Sequence, residues 1–225
     1  MSDASLVGLF IGTPRELTGA RSPWTSSFGR QPATGPLALG IEGLPGDACA
    51  SPSVHGGLDR AVLAYAVAHY DGWRAAHPGH AFPAPSFGEN FLVAGYDEAT
   101  VCIGDVWQVG EARLQVTQPR SPCGKIGLYN GIPDMLGEVV ATARMGWLLR
   151  VLTPGQVARG DAVQLVERPN PDWTVLRVFR TDRALREGAA DAAAEARAIV
   201  GLTGLAASWR AGTEQRLAAV ASPGG

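Results

Sequence analysis

Up to about Arg168 the apolar residues of this chain come in short runs broken by Gly, Pro and Asp; beyond it they recur at helical spacing. Leu6-Val7-Gly8-Leu9-Phe10-Ile11, Ala61-Val62-Leu63-Ala64-Tyr65, Arg113-Leu114-Gln115-Val116-Thr117 and Ala162-Val163-Gln164-Leu165-Val166 are rich in Val, Leu and Ile and bounded by turn residues, which predicts strands. From Ala112 to Gln118 the alternation is clean, with Leu114 and Val116 on one face and Arg113, Gln115 and Thr117 on the other. That strand delivers Cys123 into a loop just past its end. The pairs Gly46-Asp47, Gly104-Asp105 and Gly160-Asp161 predict turns, the last two leading into apolar stretches, because Gly accepts positive φ and Asp bonds nearby backbone. Helices are predicted over Val67 to His77 and over Pro133 to Arg144, where Pro133 suits a first helical position and Asp134 supports the amino end.

The texture changes at Pro169-Asn170-Pro171-Asp172, where each proline pushes its predecessor to extended geometry. Beyond it, Trp173 to Phe179, Ala189 to Val200 and Leu205 to Val220 are Ala-rich, with Val175, Leu176 and Phe179 at helical spacing. Each segment is too short to be stable alone, yet three can bury a stripe together. The expected organisation is α+β: a compact β-barrel with inserted helices over residues 1–168, then a small C-terminal three-helix module over 169–225.

With 225 residues the chain can bury a proper core, and a formal net charge of -2 argues against a nucleic-acid or anionic-membrane partner, which needs clustered positive charge. Met1-Ser2-Asp3-Ala4-Ser5 lacks a basic leader followed by an apolar stretch, and no run reaches the roughly eighteen apolar residues of a membrane span, so a soluble cytoplasmic protein is expected. The three cysteines, Cys49, Cys102 and Cys123, are widely spaced, which predicts reduced thiols rather than a disulfide framework. Cys102 lies in an apolar strand-like run and reads as buried and inert; Cys49, in Ala48-Cys49-Ala50-Ser51-Pro52, has no evident partner. His69, His77 and His80 have no metal-ligand spacing, and Trp73, Trp107 and Trp147 read as core aromatics.

Lys125 is the single lysine among nineteen basic residues, two positions after Cys123 in Gln118-Pro119-Arg120-Ser121-Pro122-Cys123-Gly124-Lys125. Either one lysine escaped a compositional bias, or an ammonium is required there, since a point charge and a planar fork are not interchangeable. Arg120 and Lys125 beside Cys123 favour the thiolate, the form that attacks electrophiles or binds metals. A nucleophilic or redox cysteine with His55 as its base is one reading; a metal thiolate is the other.

This octet resembles the Pro-Arg-x-Pro-Cys-x-Lys signature of MOSC-domain proteins, in particular their bacterial YiiM-like branch. The resemblance extends through Gly43-Leu44-Pro45-Gly46-Asp47, His55-Gly56-Gly57-Leu58-Asp59-Arg60, Phe87-Gly88-Glu89-Asn90, Val101-Cys102-Ile103-Gly104-Asp105 and Gly155-Gln156-Val157-Ala158-Arg159-Gly160-Asp161, in family order. It implies a MOSC-type barrel, a C-terminal three-helix module and a molybdenum cofactor (Mo-molybdopterin) whose metal is bound by Cys123. It implies catalytic roles for Cys123, His55 and Lys125. Cofactor contacts would come from Arg30, His55, Gly56, Asp59 and Arg60, from Phe87, Gly88, Glu89 and Asn90, and from Arg120, Ser121 and Lys125. Glu89 could instead be a buried ion-pair partner of Arg60 or Arg120, and His55 a surface residue in a turn. Two positions depart from the pattern: relatives often have Lys where Arg30 stands and commonly a bulky aromatic where Gly124 stands.

The activity implied is reduction of small-molecule N-hydroxylated compounds to amines. No Gly-x-Gly-x-x-Gly opens a βα unit, so electrons must come from a separate electron-donor reductase. The alternatives are a cofactor-carrying or sulfur-transfer module, and a thiol enzyme without molybdenum.

Overall fold

The four apolar runs read as strands all form strands, joined by shorter ones that the Gly- and Pro-rich stretches concealed. The structure, a computed structural model, describes residues 4–18, 23–189 and 191–221. Met1-Ser2-Asp3, Ala190 of the expected second C-terminal helix and residues 222–225 of the expected module lie outside the described residues. The strands are β1 (Ser5–Ile11), β2 (Arg15–Leu17), β3 (Trp24–Ser26), β4 (Gln31–Pro32), β5 (Leu37–Leu39), β6 (Val62–Ala66), β7 (Phe91–Ala94), β8 (Val106–Val109), β9 (Ala112–Pro119), β10 (Trp147–Thr153), β11 (Gly155–Val157) and β12 (Val163–Glu167). The helices are α1 (Pro52–His55), α2 (His69–Ala76), α3 (Lys125–Asn130), α4 (Met135–Thr142), α5 (Val175–Arg186), α6 (Ala192–Val200) and α7 (Ala207–Ala221).

Eight strands form one sheet in the order β12-β8-β9-β10-β6-β7-β1-β4. Only the β6–β7 pair is parallel, and α2 supplies the crossover that a parallel pair requires. The expected closed barrel is not formed. The sheet's flank at β1 meets the chain just before β12 through one isolated bridge, Ser5 to Ala162, rather than a ladder. Its backbone bonds there run from Leu6 to Asp161, from Gly160 to Leu6 and from Val163 to Ala4. Pairing stops because the chain turns at Gly160-Asp161, where the Asp161 carboxylate takes the Ala158 N–H at 2.7 Å. The other two Gly-Asp turns also use the aspartate as a backbone acceptor: Asp47 from Gly12 at 2.9 Å and Asp105 from Cys102 at 2.9 Å.

One core cluster gathers Leu114, Val116, Trp107 and Trp147 from the central strands, and a second, aromatic one packs Tyr65, Tyr70, Trp73, Phe82 and Phe87 under α2. In β9 the expected alternation holds through Val116 and then fails, because Thr117 and Gln118 are both buried. Thr117 Oγ1 has one proton to donate and lies within reach of two carbonyls, Asp59 O at 2.7 Å and Leu148 O at 3.0 Å, which satisfies its hydroxyl in the interior.

The helix expected from Trp173 starts at Val175, where Thr174 caps it by accepting the Arg177 N–H at 3.1 Å, and runs on to Arg186. Val178, Ile199, Leu205 and Trp209 of the C-terminal segment lie in the same core cluster as Leu114 and Trp147. α5, α6 and α7 also pack on one another around Leu185, Ala193 and Ala196. Ala206 N–H donates to Thr117 O at 3.0 Å, which ties the approach to α7 to the strand that ends at the site. Among the described residues, no helix is long and apolar enough to cross a membrane.

Candidate active site

β9 ends at Pro119, and the chain beyond it enters a cavity of about 410 Å³. That loop contributes Arg120, Ser121, Cys123 and Lys125 to the lining. The segment before β6 contributes His55, Gly56 and Arg60, and Arg30, Gly88 and Asn90 complete the predicted residues found there.

Arg120 is the electrostatic centre of this wall. It is 9% exposed, and its Nη1 is buried with no hydrogen-bond partner among the described residues. Its guanidinium lies 5.9 Å from the Phe28 ring centroid. Burial pushes its pKa down while Cys123 and Glu89 oppose the shift, yet an arginine stays charged in such surroundings. A buried cation without a carboxylate in contact is costly, and an anion bound beside it would offset that cost.

Cys123 is a free, partly exposed thiol just ahead of α3. Lys125 donates from Nζ to Thr25 O at 2.8 Å and sits 5.9 Å from the Trp24 ring, which leaves two ammonium protons for a ligand. His55 ends α1 on the cavity rim. Partial burial of its ring, then the charges of Arg120, Arg60 and Lys125, hold its pKa below the ordinary histidine value. Its neutral imidazole offers one N–H and one lone pair.

The other predicted residues play more structural parts. Arg30 is bidentate on Asp47, Nε to Oδ1 at 2.6 Å and Nη2 to Oδ2 at 2.9 Å, and its Nη1 donates to Gly88 O at 2.6 Å. A lysine could not make that fork. Asn90 spends both amide protons, on Phe10 O at 3.2 Å and Asp47 at 3.0 Å, and accepts the Leu63 N–H at 3.1 Å. Gly88 has φ +74, and a Cβ there would press on the Phe28 ring at 3.3 Å. Arg60 donates to Val54 O, to Ser208 Oγ at 2.9 Å and to Gln118 Oε1 at 3.4 Å.

Asp59, Phe87 and Glu89 do not line the cavity. Asp59 turns away to Arg150 at 3.0 Å and accepts the Ala207 N–H at 3.0 Å, because its neighbour Arg60 takes the cavity side. Phe87 stacks on Tyr65 at 4.5 Å inside the aromatic core. Glu89 is fully buried, accepting from the Tyr70 hydroxyl and from the Phe87 N–H at 3.1 Å. Burial raises its pKa, and it forms no ion pair with Arg60 or Arg120.

The MOSC domain profile matches residues 51–164. The chain belongs to the MOSC-domain family. It is 41% identical over 145 residues to the protein YiiM of Escherichia coli, covering 64% of this chain and 65% of that one. It is 39% identical over 163 residues to a protein of Gibberella moniliformis named "Reductase", covering 71% of this chain and 29% of the other. The chain thus spans less than two thirds of the length of either relative. The crystal structure of YiiM from Geobacillus stearothermophilus superposes with a TM-score of 0.79 at 30% identity, covering 95% of this chain and 99% of that one.

Gly124, between Cys123 and Lys125, has open space around its missing Cβ, so a side chain there would meet no neighbour. Among the lining residues that sequence reasoning did not assign to the site are Asp47, read only as a turn; Gln118, read as a strand residue; and Cys49, for which no partner was seen. Cys102 is 1% exposed and donates to Pro171 O at 3.3 Å, with burial raising its pKa, so that thiol is inert. His69 pairs with Glu98 at 2.5 Å and His77 with Glu138 at 2.7 Å, both away from the cavity.

Proposed function

We propose that this protein is a molybdenum-cofactor-dependent reductase of small N-hydroxylated compounds. The observation that carries the proposal is the unpartnered, buried guanidinium of Arg120 facing one cavity with Cys123 and Lys125. The donor set fits the group: a thiolate suits a soft metal, and although Glu42 and Asp47 also line the cavity, Asp47 is neutralised by Arg30, while Arg60, Arg120 and Lys125 remain for the anionic oxygens of a pterin phosphate and of metal oxo ligands. Cys123 would hold the metal; Arg120, Lys125 and Arg60 would hold its anionic parts.

Bound there, the cofactor would supply an electron pair, and the net change is cleavage of the substrate N–O bond with two electrons and two protons to give an amine and water. The chain's own residues bind and orient. His55, neutral at the rim, takes a hydrogen bond from a substrate hydroxyl or amine at its free ring nitrogen. Lys125 holds a proton-rich ammonium beside the thiol, and Arg120 keeps the wall positive where water is scarce. Electrons come from a separate reductase, whose docking on the C-terminal helices, residues 169–225, is part of the proposal. The name of the Gibberella relative supports reduction over a cofactor-carrier role.

The test is expression in a host that makes the cofactor, followed by metal analysis and turnover of a hydroxylamine with an artificial electron donor. The wild type should hold molybdenum and turn over. Cys123→Ser should lose both, since a hydroxyl is a hard, poorly ionised ligand, while Cys102→Ser keeps most of each. Full activity in Cys123→Ser would sink the metal-thiolate reading. Molybdenum retained without hydroxylamine turnover in the wild type would favour the carrier.

A further inference from the structure

Residues 49–57, including α1, form one wall of the cavity and carry Cys49 and His55. α1 is exposed along its whole length, with Val54 at 58%. Among the described residues, this segment makes hydrogen bonds to the rest of the protein only through Arg60: its backbone N–H to Gly57 O at 2.8 Å, and its Nη1 to Val54 O. The bonds within the segment are local, from the amides of Val54 and His55 to Ser51 O and from Gly56 to Pro52 O. A wall attached this sparsely opens at low free-energy cost.

Arg60 is itself anchored elsewhere. Nη2 donates to Ser208 Oγ at 2.9 Å, in the first turn of α7. The neighbouring Asp59 accepts the N–H of Ala207, the first residue of α7, at 3.0 Å and pairs with Arg150 at 3.0 Å. Arg150 in turn donates to Gly204 O at 3.0 Å. The guanidinium that holds the movable wall is therefore held by the amino end of the last helix.

The geometry points to Ser208 as a positioning residue: through Arg60, the start of α7 sets how firmly segment 49–57 covers the cavity. This concerns access to the cavity and holds whichever ligand the cavity takes. It also gives the C-terminal helices a physical route to the site, because a displacement of α7 reaches His55 through two side chains.

The thiols report on it. Cys49 and Cys123 line the cavity, whereas Cys102 is buried against Pro171, just ahead of the C-terminal helices. In the full-length, cofactor-free protein, a maleimide carrying a bulky polymer reaches the partly exposed Cys49 and Cys123 faster the more the wall opens, and peptide mapping separates the three sites. Ser208→Ala should speed labelling of Cys49 and Cys123 about five-fold, the size expected for losing one exposed hydrogen bond to a charged donor, with Cys102 unchanged. Ser208→Thr, which keeps the hydroxyl, should restore the wild-type rates. Unchanged rates at Cys49 and Cys123 in Ser208→Ala overturn the inference. So does a parallel rise at Cys102, which would mean general loosening of the helices, or a failure of Ser208→Thr to restore the rates.

Discussion

The C-terminal helices and the part of the cavity that holds Arg60, Arg120 and Lys125 handle positive charge in opposite ways. In the helices, Arg177, Arg183, Arg186 and Arg216 each lie against a carboxylate, and the buried Asp182 is shared by Arg186 at 2.7 Å and Arg216 at 2.5 Å. Around the cavity, Arg60, Arg120 and Lys125 contact carbonyls, an amide, a hydroxyl and aromatic faces, and none pairs with a carboxylate among the described residues. Charge that is neutralised inside the chain holds the fold together. Charge left open at a concave surface is held for a ligand, and the chain bears the cost of keeping it there.

The largest effect on stability is expected where the paired scheme is broken. Arg168→Ala removes two bonds, at 2.8 and 2.6 Å, from the fully buried Asp105, and should cost about 3 kcal/mol because an uncompensated carboxylate remains. Urea unfolding measures it; a loss below about 1 kcal/mol would show that this pairing is not structural.

Breaking the unpaired scheme should act in the other direction. Arg120→Met should stabilise the cofactor-free protein by about 1–2 kcal/mol, since a buried charge with an orphaned donor is replaced by an apolar chain of similar length. Added phosphate should raise the melting temperature of the wild type, and the same substitution should abolish that rise. A destabilised Arg120→Met that still responds to phosphate would contradict the anion assignment.

Glu89 sharpens the contrast, because it is the carboxyl closest in kind to a counter-ion for Arg120 yet is occupied by Tyr70 and Phe87. Its folded pKa lies above the ordinary glutamate value of 4.5, so between that value and the folded pKa the native state binds more protons than the unfolded one. Stability from this group is therefore greatest at low pH and falls as pH rises through that window. Glu89→Gln should flatten the decline, gaining on the wild type as pH increases, and should leave the phosphate response intact. A lost response would make Glu89 part of the anion site.

The smallest effect is on His55. Its titration midpoint, followed by NMR of the ring protons, should lie below 6.5 in the cofactor-free protein, chiefly through burial, and move upward in Arg120→Met, where the charged neighbour with the strongest influence is gone. No movement would place Arg120 too far from the rim to act on it.

Much of the fold was legible in the sequence because its signals are local. Periodicities of two and of about 3.6 residues reveal strands and helices wherever a single face is buried, which is why β1, β6, β9 and β12, and α2 and α4 to α7, stand near where the pattern puts them. The alternation of β9 broke at Thr117 and Gln118 because both faces are buried there, and a polar residue satisfied by a distant carbonyl looks the same in sequence as an exposed one.

By itself the sequence determined the cluster Arg120, Cys123 and Lys125, since residues this close along the chain share one loop whatever the fold does. Only the tertiary structure decided which charges stay open. Asp47 reaches Arg30 across 17 positions and neutralises it, Ser208 reaches Arg60 across 148, Asp59 turns away from the cavity, Glu89 sinks into the aromatic core, and Cys49 joins the wall. The reason is physical: turn and periodicity preferences act over a few residues, whereas the partner of a charge is whichever group the packed chain brings within about 4 Å.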